Sequence, residues 1–293
     1  MVKLKKIGFS GFLLLMCSVL FLLPSVTFAE EVGTDTLVQP MELTETQKES
    51  LRGLGFSERE INFITEEEYQ RVAHLEGEIE SQETKFYEVT VLADGESLIN
   101  EVSKEQATRG AIKSKITKPG EIRPLATQTK NTSWMSLTIT SSKLSNGNTY
   151  LHNSFFWLSA PAVGFKDVVS ITHSASAVKI PDTENFVYRY TDGRGTHTNG
   201  AIQIQNSNQG TAAYFDLKVV GANTAPYDQE GYLNLQVKKG NTNDVSANAY
   251  GHYDHITIAL TGTPSIGIKS GSISIGGVTK VTKATSPMIL FNY

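Results

Sequence analysis

Residues 248–261 read NAYGHYDHITIALT, with His252 and His255 three apart, Asp254 between them and Tyr250 and Tyr253 alongside. Imidazoles bind metals and move protons near neutral pH, and a carboxylate beside one fixes its tautomer. Two histidines three apart converge on a helix. Gly251 and the β-branched Ile256, Thr257 and Ile258 favour a strand instead, where successive side chains point to opposite faces. On a strand, His252 and Asp254 fall on the core side with Ile256, Ile258 and Leu260, while Tyr253 and His255 point to solvent. The histidines therefore diverge. The pair His252–Asp254 remains as a binding candidate, for a cation or a ligand, beside the plainer reading of a polar pair at a sheet margin. His173 in ITHSAS and His197 in GTHTNG would have to join His252 in a three-histidine zinc site, but no ligand-spacing motif links them. Whether any histidine takes a metal stays open at this level.

Other chemistries leave little trace. The chain has no G-x-S-x-G elbow, no H-E-x-x-H and no glycine-rich phosphate loop before a helix. Acidic residues of the C-terminal region, among them Asp167, Asp182, Asp192, Asp216 and Asp228, are scattered and lack calcium-loop spacing. A glycosidase needs two carboxyls across a cleft, and spacing does not decide that. Sugars stack on exposed rings. Tyr188 and Tyr190 share one strand face and are the candidate small platform for a glycan, beside the commoner reading of ordinary half-buried strand residues.

The N-terminus reads as an export signal. Lys3, Lys5 and Lys6 precede an apolar run from Ile7 to Leu23, Pro24 breaks it, and Thr27-Phe28-Ala29 presents small residues for cleavage after Ala29. The run is short for a membrane span. Cleavage would remove Cys17, the sole cysteine, so the mature chain would use no disulfide. It would also remove only basic charges from a chain whose formal net charge is −4, leaving it more acidic. That balance argues against nucleic acid as a partner. No apolar run lies near the C-terminus, so the expectation is a secreted chain with no membrane span after signal removal.

Three tandem capping boxes follow: Thr44 to Gln47, Ser57 to Glu60 and Thr65 to Glu68. Each precedes apolar residues at helical spacing (Leu51 and Leu54; Ile61 and Ile64; Tyr69, Val72 and Leu75), which predicts three short helices. KFYEVTVL at 85–92 and the Asp94-Gly95 turn signal predict a hairpin. After Ser133 the period changes to two, with turn signals at the spacing of an all-β sandwich or barrel. Phe155 and Trp157 alternate with Phe156 and Leu158, which marks a strand covered on both faces. Tyr214, Asp216 and Lys218 share an expected wet face opposite Phe215 and Leu217. Ile266 and Ile268 should meet Ile273 and Ile275 across a turn through residues 269–272. The division is thus a signal peptide at 1–29, a flexible stretch at 30–42, a small helical segment with a hairpin at 43–104, a linker at 105–131 and a β-sandwich at 132–293.

The stretches LRGLGFSEREINFITEEEY (51–69) and FFWLSAPAVGFKDVV (155–169) resemble a group of uncharacterised secreted proteins of Gram-positive spore-forming bacteria. That group carries an N-terminal helical LGFS-x-x-EI segment and a C-terminal β-domain. The resemblance implies an exported chain of mainly β fold, and it brings no activity, cofactor or catalytic residue. The favoured function is a non-catalytic extracellular module that binds a surface glycan, a cell-wall polymer or a protein, with no cofactor. The alternatives are a secreted β-rich pore-forming toxin whose N-terminal part is a pro-segment, and a loop-based hydrolase.

Overall fold

The computed structural model describes residues 35–92, 96–116, 130–161, 166–218, 228–259 and 264–293. The expected signal, Ala29 and the turn at 94–95 lie outside them. After β1 (Thr36–Leu37) come α1 (Glu45–Gly53), α2 (Glu58–Asn62) and α3 (Glu66–Val72). Each begins at the expected capping box, with the side chains of Thr44, Ser57 and Thr65 accepting the N–H three residues on. Gly55, at φ +92°, makes the turn between α1 and α2 close against the Thr140 side chain. The Phe56 ring that follows lies against Tyr150, His152 and Tyr232 of the sheet below.

The remaining elements are β2 (Gly77–Leu92), β3 (Ser97–Val102), α4 (Lys104–Ile116), β4 (Lys130–Leu144), β5 (Thr149–Trp157), β6 (Lys166–His173), β7 (Ala177–Lys179), β8 (Asn185–Asp192) and β9 (Gly195–Asn199). They continue with β10 (Gln203–Ser207), β11 (Gly210–Asp216), β12 (Asp228–Lys239), β13 (Ser246–Ala259), β14 (Ser265–Lys269), β15 (Ser272–Gly276), β16 (Val278–Lys283) and β17 (Met288–Asn292). One antiparallel sheet runs β1-β9-β8-β12-β5-β4-β2-β3, with β7 also on β12. A second runs β10-β11-β6-β13-β16, with β17 also on β13. The two face each other as a β-sandwich, the expected fold class. Its core sets Phe155, Trp157, Tyr188 and Leu235 against Ile171, Phe215, Tyr253 and Phe291. Each such side chain contributes about 1.5–3 kcal/mol by leaving water.

Both outer faces are covered as well. The apolar faces of α1 to α3 (Leu51, Leu54, Ile61, Ile64, Val72) pack on Leu144, Tyr150, Val187 and Tyr232 of the first sheet. The hairpin β14–β15 registers Ile266 with Ile275 and Ile268 with Ile273, as the parity predicted, and lays this apolar face on Val168, Ala212, Tyr214 and Ile256 of the second. The face of β11 expected to be wet is therefore dry at Tyr214.

Three boundaries differ from the sequence reading. Within the stretch expected to be flexible, Thr36 and Leu37 pair with Thr198 and His197, and Val38 is buried. An edge strand needs only an open partner, which local composition does not reveal. The hairpin β2–β3 joins the main sheet, with β2 paired along β4, so residues 43–104 form no separate segment. The expected linker begins with α4, opened by an unnoticed capping box in which Ser103 and Gln106 bond each other's backbone N–H. Its contact face is Ala107, Gly110 and Ala111. A Cβ on Gly110 would lie 2.1 Å from the Trp134 ring. Small residues let a helix approach closely but leave no apolar periodicity to read.

Candidate functional site

In β13 the two imidazoles of the 248–261 stretch lie on opposite faces, as alternation requires. The register irregularity of this strand falls at Ile256–Ile258, beyond both histidines. His252 sits under the β14–β15 side. Its Nε2 pairs with the Thr172 hydroxyl at 2.8 Å and its Nδ1 with the Ser286 hydroxyl at 2.5 Å. Burial, with help from nearby Lys283, pulls its pKa down to about 4, so the ring is neutral at pH 7. Asp254 shares that face, its Oδ2 3.5 Å from Lys283 Nζ, and burial pushes its pKa up to about 6. His252 is held by two hydroxyls, Asp254 Oδ2 has Lys283 as its charge partner and no hydrogen bond among the described residues, and both side chains are buried.

Tyr253 and His255 do not reach solvent, contrary to the sequence reading, because the first sheet packs on that face. His255 lies opposite Asp167 of β6, with Nδ1 at 2.9 and 3.0 Å from the two carboxylate oxygens. Tyr253 donates its hydroxyl to Asp167 at 2.5 Å and receives the Trp157 indole N–H at 3.1 Å. The Ile256 N–H adds a third donor to the carboxylate. Burial opposes charge on His255, and the adjacent carboxylate outweighs it, so its pKa is raised. With Asp167 fully buried and His255 nearly so, the cluster staples β6 to β13 and offers no reacting atom to a substrate.

The other candidates disperse. His197 on β9 bonds Asp192 at 3.0 Å and stacks on Tyr190, while His173 on β6 donates Nδ1–H to the Ser174 carbonyl at 3.1 Å. Among the described residues, no three metal-ligating side chains come together. Tyr188 and Tyr190 do share a face, but it is the inner one. Tyr188 donates its hydroxyl to Gln229 at 2.6 Å and packs near Phe155 and Phe215, so the pair forms no platform for a sugar. Parity says that two residues share a face, and only the neighbouring sheet says which face it is. The hairpin β14–β15 packs on its own body as a pore-former's would. Its strands are five residues each, half of the roughly 9–11 that cross a bilayer.

The seam between the helices and the first sheet is built differently. Here the capping-box glutamates have two tasks. Glu60 caps Ser57 through one oxygen at 2.7 Å and meets His152 of β5 at 3.2 Å through the other. Burial pushes its pKa up, but His152 and the Ser57 N–H outweigh it, and the carboxyl stays below its ordinary value. Glu68 caps Thr65 at 2.8 Å and ion-pairs with buried Arg189 of β8. Arg59 reaches Glu230 and, at 3.1 Å, Asp228. These pairs fix the helices on the sheet.

Where α3 ends, the seam opens into a cavity of about 280 Å3. Its floor is the outer face of the sheet: Tyr150 of β5, cross-strand partner of Gln236, and Asn234 of β12, partner of Asn185. Val72 and Leu75 form an apolar wall, and the 182–185 turn forms the rim. The Tyr150 hydroxyl and the Asn234 amide nitrogen are buried and have no hydrogen-bond partner among the described residues. His152 Nδ1, Ser142 Oγ and Glu230 Oε1 lack a hydrogen-bond partner among the described residues in the same way. Burial holds the Tyr150 phenol protonated, its pKa far above the ordinary value. The rim residue Asp182 has φ +60°, the sole non-glycine in that region among the described residues. Sequence reasoning missed this site. Its trace is in NLQVKK, where amides at 234 and 236 alternate with core residues on a strand whose other face the helices must cover.

No protein-family model and no curated protein matches the chain. Among solved structures, a collagen-binding domain from a Staphylococcus aureus adhesin overlaps 48% of this chain and 88% of its own, at 8% identity and TM-score 0.25. The C-terminal domain of the Streptococcus agalactiae AgI/II polypeptide BspA overlaps 75% and 81%, at 9% identity and TM-score 0.28. AvmM, which catalyses macrocyclization in alchivemycin A biosynthesis, overlaps 49% and 79%, at 12% identity and TM-score 0.24. None of these overlaps is close enough to transfer a ligand or a reaction.

Proposed function

We propose that the chain is a secreted, non-catalytic extracellular binding module. The observation that carries this is the seam cavity of about 280 Å3, a recess walled by Val72 and Leu75 and bordered by the amides of Asn185, Asn234 and Gln236. The titratable clusters elsewhere point the same way. Asp167 with His255, Asp192 with His197, and Thr172 and Ser286 with His252 each bond inwardly. Export rests on the residues before Ala29, and N-terminal sequencing of chain recovered from a culture medium should begin at Glu30. Binding is tested by passing the full mature chain over an array of extracellular glycans and cell-wall polymers. Retention on one class, competed away by soluble fragments of that class, is expected. No retention anywhere on the array overturns the proposal.

A further inference from the structure

The geometry points to a covalent cross-link within the chain: Lys179 and Asn206 join as a side-chain amide, Glu184 carries the protons, and ammonia leaves. Lys179 Nζ lies 2.6 Å from Glu184 Oε2 and 2.9 Å from Asn206 Oδ1, and the other Glu184 oxygen accepts from Asn206 Nδ2. The carboxylate therefore touches both the amine that must lose a proton and the amide nitrogen that must gain one. The Thr211 hydroxyl donates to Asn206 Oδ1 at 2.7 Å, where negative charge develops when an amine adds to the amide. An ordinary ion pair needs only the first of these contacts. The Lys179 side chain is 7% exposed and that of Glu184 12%, so little water competes for the pair. Groups held this close by a fold react as if at very high concentration.

Three elements bring the groups together. Lys179 ends β7, in register with Val237 of β12 in the first sheet, and Asn206 lies on β10, the edge strand of the second sheet, opposite Thr211. Glu184 stands in the turn between β7 and β8. Thr183 fixes that turn, donating its hydroxyl to the Ile180 carbonyl at 2.7 Å and accepting the Gln236 N–H at 3.0 Å. The new amide ties one sheet to the edge of the other, in a chain whose single cysteine can form no internal disulfide. Burial pushes the Glu184 carboxyl up, but its bonds with Lys179 and Asn206 outweigh burial and hold it below its ordinary range, so it starts as the base. It takes one proton from the Lys179 ammonium and leaves a neutral amine. The Nζ lone pair then forms a bond to Asn206 Cγ while the carbonyl π pair moves to Oδ1. Glu184 passes its proton to Nδ2, the Cγ–Nδ2 bond breaks with its electron pair on nitrogen, and ammonia departs. The surplus proton on Nζ returns to Glu184, which ends as a neutral acid. The step is redox-neutral and consumes only the two side chains. Asn206 is exposed, which gives ammonia a way out. The reaction runs once per chain and is independent of the binding reading.

The test is mass spectrometry of the purified chain after denaturation and digestion with trypsin. The cross-link blocks cleavage after Lys179 and joins residues 167–189 to residues 195–218. The branched peptide should weigh about 17 Da less than its two parts together, the mass of the ammonia that the lysine displaces. Glu184→Gln keeps a side chain of the same shape but removes the proton carrier, and it should yield the two peptides separately, with Lys179 cut. Asn206→Ala should do the same. A parent chain cleaved after Lys179, with both peptides at full mass, shows an ion pair alone and overturns the cross-link. Loss of ammonia at Asn206 with Lys179 still cleaved shows ring closure onto its own backbone and overturns it too. A Glu184→Gln chain cross-linked like the parent overturns the role of Glu184 in the reaction.

Discussion

Gly251→Ala is expected to be among the most damaging single-methyl additions in the chain. Gly251 lies in β13 opposite Asn153 of β5, across the interior of the sandwich. A Cβ there would sit 2.3 Å from Asn153 Oδ1, 2.8 Å from its Cγ and 3.2 Å from Ile139 Cβ. The asparagine is not free to retreat. Its Nδ2 donates to the Ser170 carbonyl at 3.0 Å and the His252 carbonyl at 3.3 Å, tying β5 to both β6 and β13. Moving it leaves buried groups unpaired, at about 1–3 kcal/mol each. Keeping it forces the sheets apart, and overpacking a core costs about 1–3 kcal/mol. The cheaper route sets the loss, about 1–3 kcal/mol, or a drop in Tm on the order of 2–12 °C at about 2–4 °C per kcal/mol. Urea denaturation followed by tryptophan fluorescence measures it. The double variant Gly251→Ala, Asn153→Ala relieves the clash and should be less destabilised than the sum of the singles. A Gly251→Ala chain within 0.5 kcal/mol of the parent would refute the close approach and the Asn153 tie with it.

Arg189→Ala should cost about 3–5 kcal/mol by the same assay, because it strands Glu68 beneath the helices without its cation and leaves Glu230 with Arg59 alone. Removing it should also expose α1 to α3 to proteolysis before the sandwich opens. Asp254→Asn should act with the opposite sign. The folded pKa of Asp254, about 6, lies above its unfolded value of 3.8. The folded state then binds the extra proton between those values, and stability falls as pH rises through 6. The substitution should stabilise the chain at pH 8 by up to about 3 kcal/mol, with the gain vanishing toward pH 4. His252 adds to acid lability. Its folded pKa, about 4, is below the unfolded 6.5, so its contribution is complete above 6.5 and lost as pH falls toward 4. His252→Gln should flatten that limb of the pH–stability curve, and an unchanged curve would contradict the buried neutral ring.

Much of this architecture is legible because local rules write it plainly. A capping box needs only four residues, and Thr44, Ser57 and Thr65 each mark a helix start. Strand parity correctly separated His252 from His255 and brought the four isoleucines of β14–β15 to one face. What alternation does not reveal is coverage. It sorts Tyr253 and His255 from Asp254, yet whether a face is wet depends on what a distant segment lays upon it. Tyr188, Tyr190 and Tyr214 are buried for that reason. The helix α4 was hidden by its alanine and glycine contact face. The cavity was hidden more deeply, since Tyr150 and Asn234 come together only through the β5–β12 register and the seating of α3.

The claim at the centre is that the histidine-rich strand is structural and the ligand site lies under α3. It is tested most directly by NMR chemical-shift mapping of the isotope-labelled mature chain against the glycan class that the array retains. Shifts at the amides of Tyr150, Asn234 and Gln236, with unmoved ring signals from His252 and His255, are the predicted result. Ring shifts at His252 or His255 on ligand addition, with the α3 seam silent, would contradict it.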